Sequence, residues 1–147
     1  MSNPRTRSGR RRAVALSTVM TGALLLGACS APAGDLPPPL EAGRDVFRSV
    51  CSTCHGDSGQ GLSGPSLDGV LETFPACDDQ LKWIMLGSEE WKSEVGPTYG
   101  AQDKAITEIM PGFASSLSET QVEQVAAYVR AAFGEEEQTT AMSGCGA

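Results

Sequence analysis

The stretch "CSTCH", Cys51 to His55, places two cysteines and the only histidine of the chain within five residues. Residues three apart lie on one face of a helical turn, so the thiols of Cys51 and Cys54 project to the same side. The imidazole of His55 follows directly after them. The fold is therefore expected to present this turn so that all three side chains reach one common group.

A Cys-x-x-Cys-His sequence is the attachment sequence for c-type haem, in which both thiols bind the porphyrin edge and the histidine ligates iron. A structural zinc site is the first alternative, but it needs four Cys or His ligands in paired spacings, and the remaining cysteines are scattered. A thioredoxin-like redox site is the second, but it needs a βαβ context that the sequence does not indicate. The motif predicts one covalently bound haem c, attached at Cys51 and Cys54 and ligated by His55.

Residues 1–28 are typical of a secretory signal sequence, because a basic start precedes a short apolar run. An uncleaved membrane anchor is the alternative, although a span needs about 20 apolar residues. The end of the run, "LGAC", resembles a bacterial lipoprotein signal. The resemblance implies a lipid on Cys29 and attachment at the outer face of a membrane in the cell envelope; an ordinary signal peptide with a coincidental cysteine is the alternative.

The charge of the chain limits its partners. Five of the 11 basic residues and none of the 18 acidic ones precede Cys29, so the remaining chain has a formal charge of −12. Such a surface repels nucleic acid and anionic head groups, so no nucleic-acid partner is expected and membrane attachment depends on the lipid. The acidity favours a redox partner with a basic docking face, and it equally fits simple solubility of an exported protein.

Residues 29–40 are rich in proline and predict an extended tether. Residues 41–134 predict a small all-α domain with long loops. In its first helix Val46, Phe47 and Val50 share an apolar face that adjoins Cys51. A second helix is predicted around Asp78 to Leu86. Residues 135–147 predict a flexible acidic tail.

The last helix of the domain has the clearest pattern. Ser118 and Gln121 form a capping box at its start. An apolar stripe follows the helical period and comprises Leu117, Val122, Val125, Tyr128, Val129 and Phe133. The stripe predicts that one face of this helix is buried in the core.

Four blocks, "AGRDVFRSVCSTCHG", "GPSL", "MPGF" and "LSETQVEQVAAYVR", occur in this order. In order and approximate spacing the chain resembles a class I monohaem cytochrome c domain from about residue 41 to 133. The resemblance implies three main helices around one haem, with Gly43 and Phe47 packed near Tyr128. It also implies that the carbonyl of Pro65 accepts the proton of the His55 ring nitrogen that faces away from iron.

The sixth iron ligand cannot be a second histidine of this chain, which leaves methionine, water or, less usually, lysine or tyrosine. Met85 is predicted to be a core residue of the second helix, and Met142 lies in the tail. Met110 differs because the following Pro111 and Gly112 stop regular structure just before the last helix. The resemblance implies an axial methionine at this position.

Ligation by His55 and Met110 raises the reduction potential and leaves no open coordination site. The expected function is therefore a one-electron carrier rather than an enzyme, at the outer face of the cytoplasmic membrane in a respiratory chain. A terminal oxidase, a dehydrogenase or a cytochrome complex is the expected partner. One alternative is a fixed haem subunit of a larger oxidoreductase complex. The other is a ligand-binding or peroxidatic haem protein with an open sixth site, but this chain has no second histidine to act as a distal acid or base.

Two cysteines remain after these assignments. Outside the cytoplasm Cys77 and Cys145 can form a disulfide, and two free thiols are the alternative. The segment from Phe74 to Asp103 departs most from short members of the family, and we expect it to cover one edge of the haem. Three aromatic residues of this segment either line the haem or bond a propionate, or simply pack in the core: Trp83, Trp91 and Tyr99.

Overall fold

A computed structural model describes residues 36–147 of the chain, so the signal sequence, Cys29 and most of the tether lie outside the described residues. The elements in chain order are α1 (Pro38–Val46), a π-helical turn (Phe47–Cys51), α2 (Ser52–His55), α3 (Val70–Thr73), α4 (Cys77–Glu94), β1 (Thr98–Tyr99), β2 (Lys104–Ala105), α5 (Glu119–Phe133) and α6 (Gln138–Cys145). The two short strands form an antiparallel hairpin. The mostly helical architecture confirms the predicted all-α fold. Within residues 36–147 none of the helices has both the length and the apolar composition needed to cross a membrane.

The first helix begins earlier than the sequence predicts. Pro38 and Pro39 occupy its first turn, where a missing N–H is tolerated and the fixed φ of proline suits the helix. Pro37, which precedes the helix, has the extended conformation expected of the tether, with φ −49° and ψ 143°. Leu40 is already completely buried. Helix α1 therefore begins three residues before the predicted boundary at residue 41.

Helix α1 crosses α5 in direct backbone contact. A Cβ atom at Gly43 would overlap the carbonyl of Gln124 and lie 2.9 Å from the Cβ of Tyr128. Phe47 is completely buried, and its ring centroid lies 5.8 Å from that of Tyr128 and 4.9 Å from that of Phe133. The packing of Gly43 and Phe47 near Tyr128 is thus as the resemblance implies.

The start and the buried face of α5 agree with the sequence pattern. The N–H of Gln121 donates to Ser118 Oγ at 3.2 Å, and the N–H of Ser118 donates to Gln121 Oε1 at 3.0 Å. These two bonds confirm the capping box. The valines of the predicted stripe, Val122, Val125 and Val129, are buried, and Leu117, Tyr128 and Phe133 pack against the core from partly buried positions.

The tail contains an ordered helix. Glu137 caps α6 by accepting a hydrogen bond from the N–H of Thr140 at 3.0 Å, and Ala141 is completely buried. Cys145 is joined by a disulfide to Cys77, with 5.3 Å between their Cα atoms. The prediction of a flexible tail over residues 135–147 is therefore wrong for α6, because the Cys77–Cys145 disulfide, one of the two states considered for these cysteines, holds the end of this helix.

A buried arginine connects the tail to the core. Arg130 of α5 is 4% exposed, and its Nε donates to Glu136 at 2.7 Å. Its other nitrogens donate to the carbonyls of Phe74 at 2.8 Å and Pro75 at 3.2 Å. One side chain thereby joins α5, the segment that leads into α4, and the start of the tail. Removal of one partner from such a buried, paired charge strongly destabilises a folded domain.

The cross-link between Cys77 and Cys145 is expected to stabilise the domain. Replacing both cysteines by serine should lower the free energy of unfolding by about 4 kcal/mol, because the bond closes a loop of 68 residues in the unfolded chain. Denaturant unfolding with and without reductant measures the effect, and peptide mass mapping locates the two lost hydrogens. Reductant should leave the double variant unchanged. Free thiols at both positions in the parent protein would contradict the prediction.

Candidate cofactor site

One large cleft opens between the Cys51–His55 turn and the loop that carries Met110. Cys51, Cys54, His55 and Met110 all line it, and its empty volume out to the open mouth is about 1220 Å³. Most of the remaining wall is apolar and comprises Phe47, Val50, Leu67, Val70, Phe74, Trp83, Ile84, Ile106, Phe113, Val125 and Val129. The structure thus brings the four predicted attachment and ligand side chains onto one cleft.

The cysteine-bearing turn follows a local change of helix type. The N–H of Ser52 donates to the carbonyl of Phe47, five residues earlier, which makes this turn π-helical. Such turns are rare and frequently occur at functional sites. Burial and, as the smaller cause, the charge of Cys54 together raise the pKa of the Cys51 thiol to about 11. The Cys51 thiol is therefore neutral at pH 7 and packs as an apolar part of the cleft wall.

The orientation of His55 is fixed by the carbonyl of Pro65. Its Nδ1 atom lies 2.9 Å from this oxygen. A carbonyl can only accept, so Nδ1 carries the proton and Nε2 keeps a lone pair for a metal. The loop that carries Pro65 folds back onto the same turn, since the N–H of Gly61 donates to the His55 carbonyl at 2.7 Å and that of Gly64 to the Cys54 carbonyl at 2.9 Å.

Met110 is positioned by a break in α4. Gly87 interrupts this helix with φ 66° and ψ −177°, a conformation that favours glycine. At the break, the N–H of Ser88 donates to the Met110 carbonyl at 2.8 Å. The N–H of Met110 donates in turn to Ser88 Oγ at 3.1 Å, and Ser88 is completely buried. The backbone of Met110 is therefore held on both its polar groups.

The residues after Met110 follow the end of the broken helix. The N–H of Phe113 donates to the carbonyl of Ile84 at 3.1 Å, and that of Ala114 to the carbonyl of Met85 at 3.2 Å, so two carbonyls at the helix end gain partners. A Cβ at Gly87 would overlap the backbone of Gly112, and one at Gly112 would overlap the carbonyl of Leu86. The two glycines permit direct contact between the backbones. Met85 is partly buried against the core, as predicted.

The segment from Phe74 to Asp103, which was expected to cover one edge of the haem, contributes part of the cleft wall. Of its three aromatic candidates, Trp83 and Tyr99 line the cleft, whereas Trp91 packs in the core. Tyr99 stacks on Trp83 with 4.4 Å between ring centroids. Burial, followed by the nearby charge of Glu108, raises the pKa of the Tyr99 hydroxyl.

Several polar residues of the cleft were not predicted, and Gln80 and Lys104 are two of them. Gln80 lines it from α4, and Lys104 lines it from the hairpin β1–β2. Gln80 belongs to a helix that the sequence does predict, but its burial depends on contacts with distant residues such as Arg130. The sequence carried no periodic signal that could have selected Lys104, because its strand has only two residues.

The cleft fits a haem. An imidazole Nε2 and a methionine sulfur are ligands that iron accepts in haem proteins, and two thiols lie beside the imidazole. The apolar walls suit a large, flat, mostly apolar ring. A small helical fold with this donor set is typical of cytochrome c domains.

Sequence comparison places the chain within this class. The chain belongs to the family described as "Cytochrome C oxidase, cbb3-type, subunit III", whose model matches residues 38–129. The domain is therefore a haem-binding electron-transfer domain. It is also similar to a nicotinate dehydrogenase subunit of Pseudomonas putida, with 34% identity over 116 residues. That alignment covers 74% of this chain and 8% of the relative, so the likeness concerns one short part of a much longer protein.

Loss of the Ser88 hydroxyl should loosen the segment that carries Met110. Ser88→Ala removes the hydroxyl that accepts the Met110 N–H, and we expect the free energy of unfolding to fall by about 1–3 kcal/mol. Ser115→Ala is the matched control because Ser115 is exposed on the same loop. Denaturant unfolding of the two variants tests the expectation. Equal stability of both variants would show that this bond does not hold the segment.

Proposed function

We propose that the chain carries single electrons on one c-type haem, attached through Cys51 and Cys54 and ligated by His55 and Met110. The main support is that these four side chains line a single apolar cleft. When bound, the haem iron supplies one-electron exchange between its ferrous and ferric states. The polypeptide supplies the attachment, the ligands and the exclusion of water.

The residues around the ligands have separate roles in this proposal. The Pro65 carbonyl holds the imidazole proton at Nδ1, which orients the His55 ring and raises the basicity of Nε2. The apolar wall disfavours the additional positive charge of the ferric state and so raises the reduction potential. A methionine ligand raises it further. Because His55 and Met110 would both ligate the iron and leave no position for a substrate, we propose a carrier rather than an enzyme.

The second candidate is a fixed haem subunit of an oxidoreductase complex. The family description names an oxidase subunit, and the Pseudomonas relative is named as a dehydrogenase subunit. A terminal oxidase, a dehydrogenase or a cytochrome complex is accordingly the proposed redox partner. Copurification with such a partner at high salt distinguishes a fixed subunit from a carrier, whose encounters with its partner weaken as salt rises.

We further propose that the protein is exported, lipidated at Cys29 and anchored at the outer face of the cytoplasmic membrane. The sequence from Leu26 to Cys29 supports the lipid, and the Cys77–Cys145 disulfide fits an oxidising compartment. The short proline-rich segment before Pro38 then serves as a tether.

Replacement of the lipidated residue tests this location. Wild-type protein should remain in the membrane fraction after a high-salt wash, and Cys29→Ser should move to the soluble fraction because residues 29–147 carry a formal charge of −12, which anionic head groups repel. Mass spectrometry of the mature N-terminus shows directly whether Cys29 carries a lipid. Membrane retention of the Cys29→Ser variant would contradict lipid anchoring at this residue.

The visible absorption spectrum tests the ligand set. We expect low-spin spectra in both oxidation states, with a weak far-red band from methionine bound to ferric iron. Met110→Ala should lose this band, and Met142→Ala, which alters a methionine of α6, should keep it. A high-spin parent protein that binds carbon monoxide would instead support an open sixth site and the ligand-binding alternative.

A further inference from the structure

A second groove opens on the outer side of the loop that carries Met110. This outer groove has an empty volume of about 650 Å³ out to its open mouth. Residues 109–111 line both the outer groove and the main cleft, whereas the other residues of the groove do not line the cleft. The loop of Met110 is therefore the wall that separates the two cavities.

The floor of the outer groove is apolar. Two residues of α4 and two of the loop form it: Met85, Leu86, Pro111 and Ala114. Ile109 also lines the groove, and it is the most exposed of the large hydrophobic residues within residues 36–147, at 79%. A single exposed hydrophobic residue is ordinary, but an exposed one beside an apolar groove is typical of a binding surface.

The rim of the outer groove is acidic. Glu89 and Glu90 line it and are both exposed. They follow the break at Gly87, so the resumed part of α4 places them beside the loop. Lys92 Nζ lies 3.0 Å from Glu89 Oε1, but Glu90 has no ion pair in the described part of the chain, and the lining described there contains no lysine or arginine. The groove therefore presents negative charge beside an apolar floor.

Hydrogen bonds hold the outer groove in shape. Ser88 is completely buried and bonds both the N–H and the carbonyl of Met110. The N–H of Ala114 donates to the carbonyl of Met85 at 3.2 Å, which joins the two sides of the floor. A partner that docks here meets a preformed surface, so little ordering of the loop opposes its binding.

We infer that the outer groove docks a redox protein that presents cationic side chains around an apolar projection, and that the electron crosses at Met110. The inference rests on the proposed function, since it requires an iron ligated by Met110. In each encounter one electron passes between the iron and the redox centre of the partner. The iron changes between its ferrous and ferric states, the other centre changes by one electron in the opposite direction, and no bond forms or breaks.

Charge selects this kind of occupant. A second copy of the chain brings the same acidic rim, and the formal charge of −12 over residues 29–147 repels anionic head groups. A basic protein face is attracted instead, which raises the rate of encounter. Exposed apolar groups at the centre of the contact then exclude water between the two proteins.

The position of the groove favours a redox partner. Met110, the proposed iron ligand, lines both cavities, so a molecule in the outer groove contacts the residue that holds the iron from the other side. Electron tunnelling weakens steeply with distance. A partner in this groove therefore has a short path to the iron without entering the main cleft.

A matched pair of charge variants tests the docking face. The probe is tris(phenanthroline)cobalt(III), a tripositive complex with apolar aromatic ligands, which takes one electron from ferrous haem and becomes cobalt(II). Glu89→Gln/Glu90→Gln should slow this reaction by about threefold or more at low salt. Asp78→Asn/Asp79→Asn changes the net charge equally, but these exposed residues lie at the other end of α4 and outside the groove, so it should slow the reaction much less.

A matched pair of apolar variants tests the contact with Ile109. At high salt, where charges are screened, Ile109→Ser should slow the reaction with the cobalt complex more than Leu62→Ser does. Leu62 is 68% exposed and lies beside the attachment turn, because its N–H donates to the Cys54 carbonyl at 3.0 Å. It therefore represents docking at the other side of the haem. Low-spin spectra with the far-red band verify that the ligands are unchanged, and the glutamate pair serves if Ile109→Ser loses this band.

Poly-lysine, which has no redox centre, provides a probe of protein size. It should slow the reaction of the parent protein and of Asp78→Asn/Asp79→Asn with the cobalt complex, because it occupies the acidic rim. The reaction of Glu89→Gln/Glu90→Gln should be slowed less. Stopped-flow absorption at the haem band measures all of these rates.

The outcomes separate this inference from the proposed function. Equal rates in the two charge variants, or an Ile109→Ser rate no lower than that of Leu62→Ser, would overturn the docking face and leave the haem carrier intact if the spectra are unchanged. Equal inhibition of all proteins by poly-lysine would also overturn it. A parent protein without attached haem would overturn the proposed function, and the inference with it.

Discussion

The contact between α1 and α5 at Gly43 is the constraint on which the rest of the domain depends. The absence of a side chain lets the first helix lie directly against the backbone of Gln124, where a Cβ atom would overlap the carbonyl. The chain then continues from α1 through the π-helical turn into Cys51 and His55 without a loop. The direction in which the attachment motif faces is therefore determined by a helix crossing several residues earlier. A larger side chain at Gly43 would displace the motif along with the helix.

The parts of the structure that the sequence predicts well depend on local geometry. The spacing of Cys51 and Cys54 and the reciprocal bonds of Ser118 and Gln121 involve residues three apart on one helical turn. Met110 was also recognisable, because proline and glycine after it mark a loop whose backbone lies close to another segment. That other segment, at Gly87, was predicted only as the end of a helix. The helix resumes at Ser88 because the loop itself supplies hydrogen-bond partners there.

The features that sequence reasoning missed depend on residues far apart in the chain. The disulfide that holds α6 was one of the two states considered for Cys77 and Cys145, but the helix itself and the buried bonds of Arg130 that precede it are not evident from composition. Tyr99 and Lys104 meet only through the register of a hairpin of two-residue strands, which is too short for an alternating pattern. The hairpin turn has positive φ at Gly100 and Asp103. Glycine and aspartate occur in turns of several lengths, so these residues do not determine the register of the strands. The side of the cleft formed by the hairpin is thus less predictable from the sequence than the side formed by the Cys51–His55 turn.

The direct contact between the backbones at Gly87 and Gly112 has a consequence for the speed of electron transfer. An electron carrier changes its charge by one in each cycle, and every group that must move in response adds to the reorganisation energy of the reaction. Here the loop of Met110 is fixed by close backbone contact and by hydrogen bonds on both of its polar groups, with no flexible side chain between the two segments. Such close-packed surroundings rearrange little. If the proposed function holds, rearrangement of this loop would add little to the reorganisation energy.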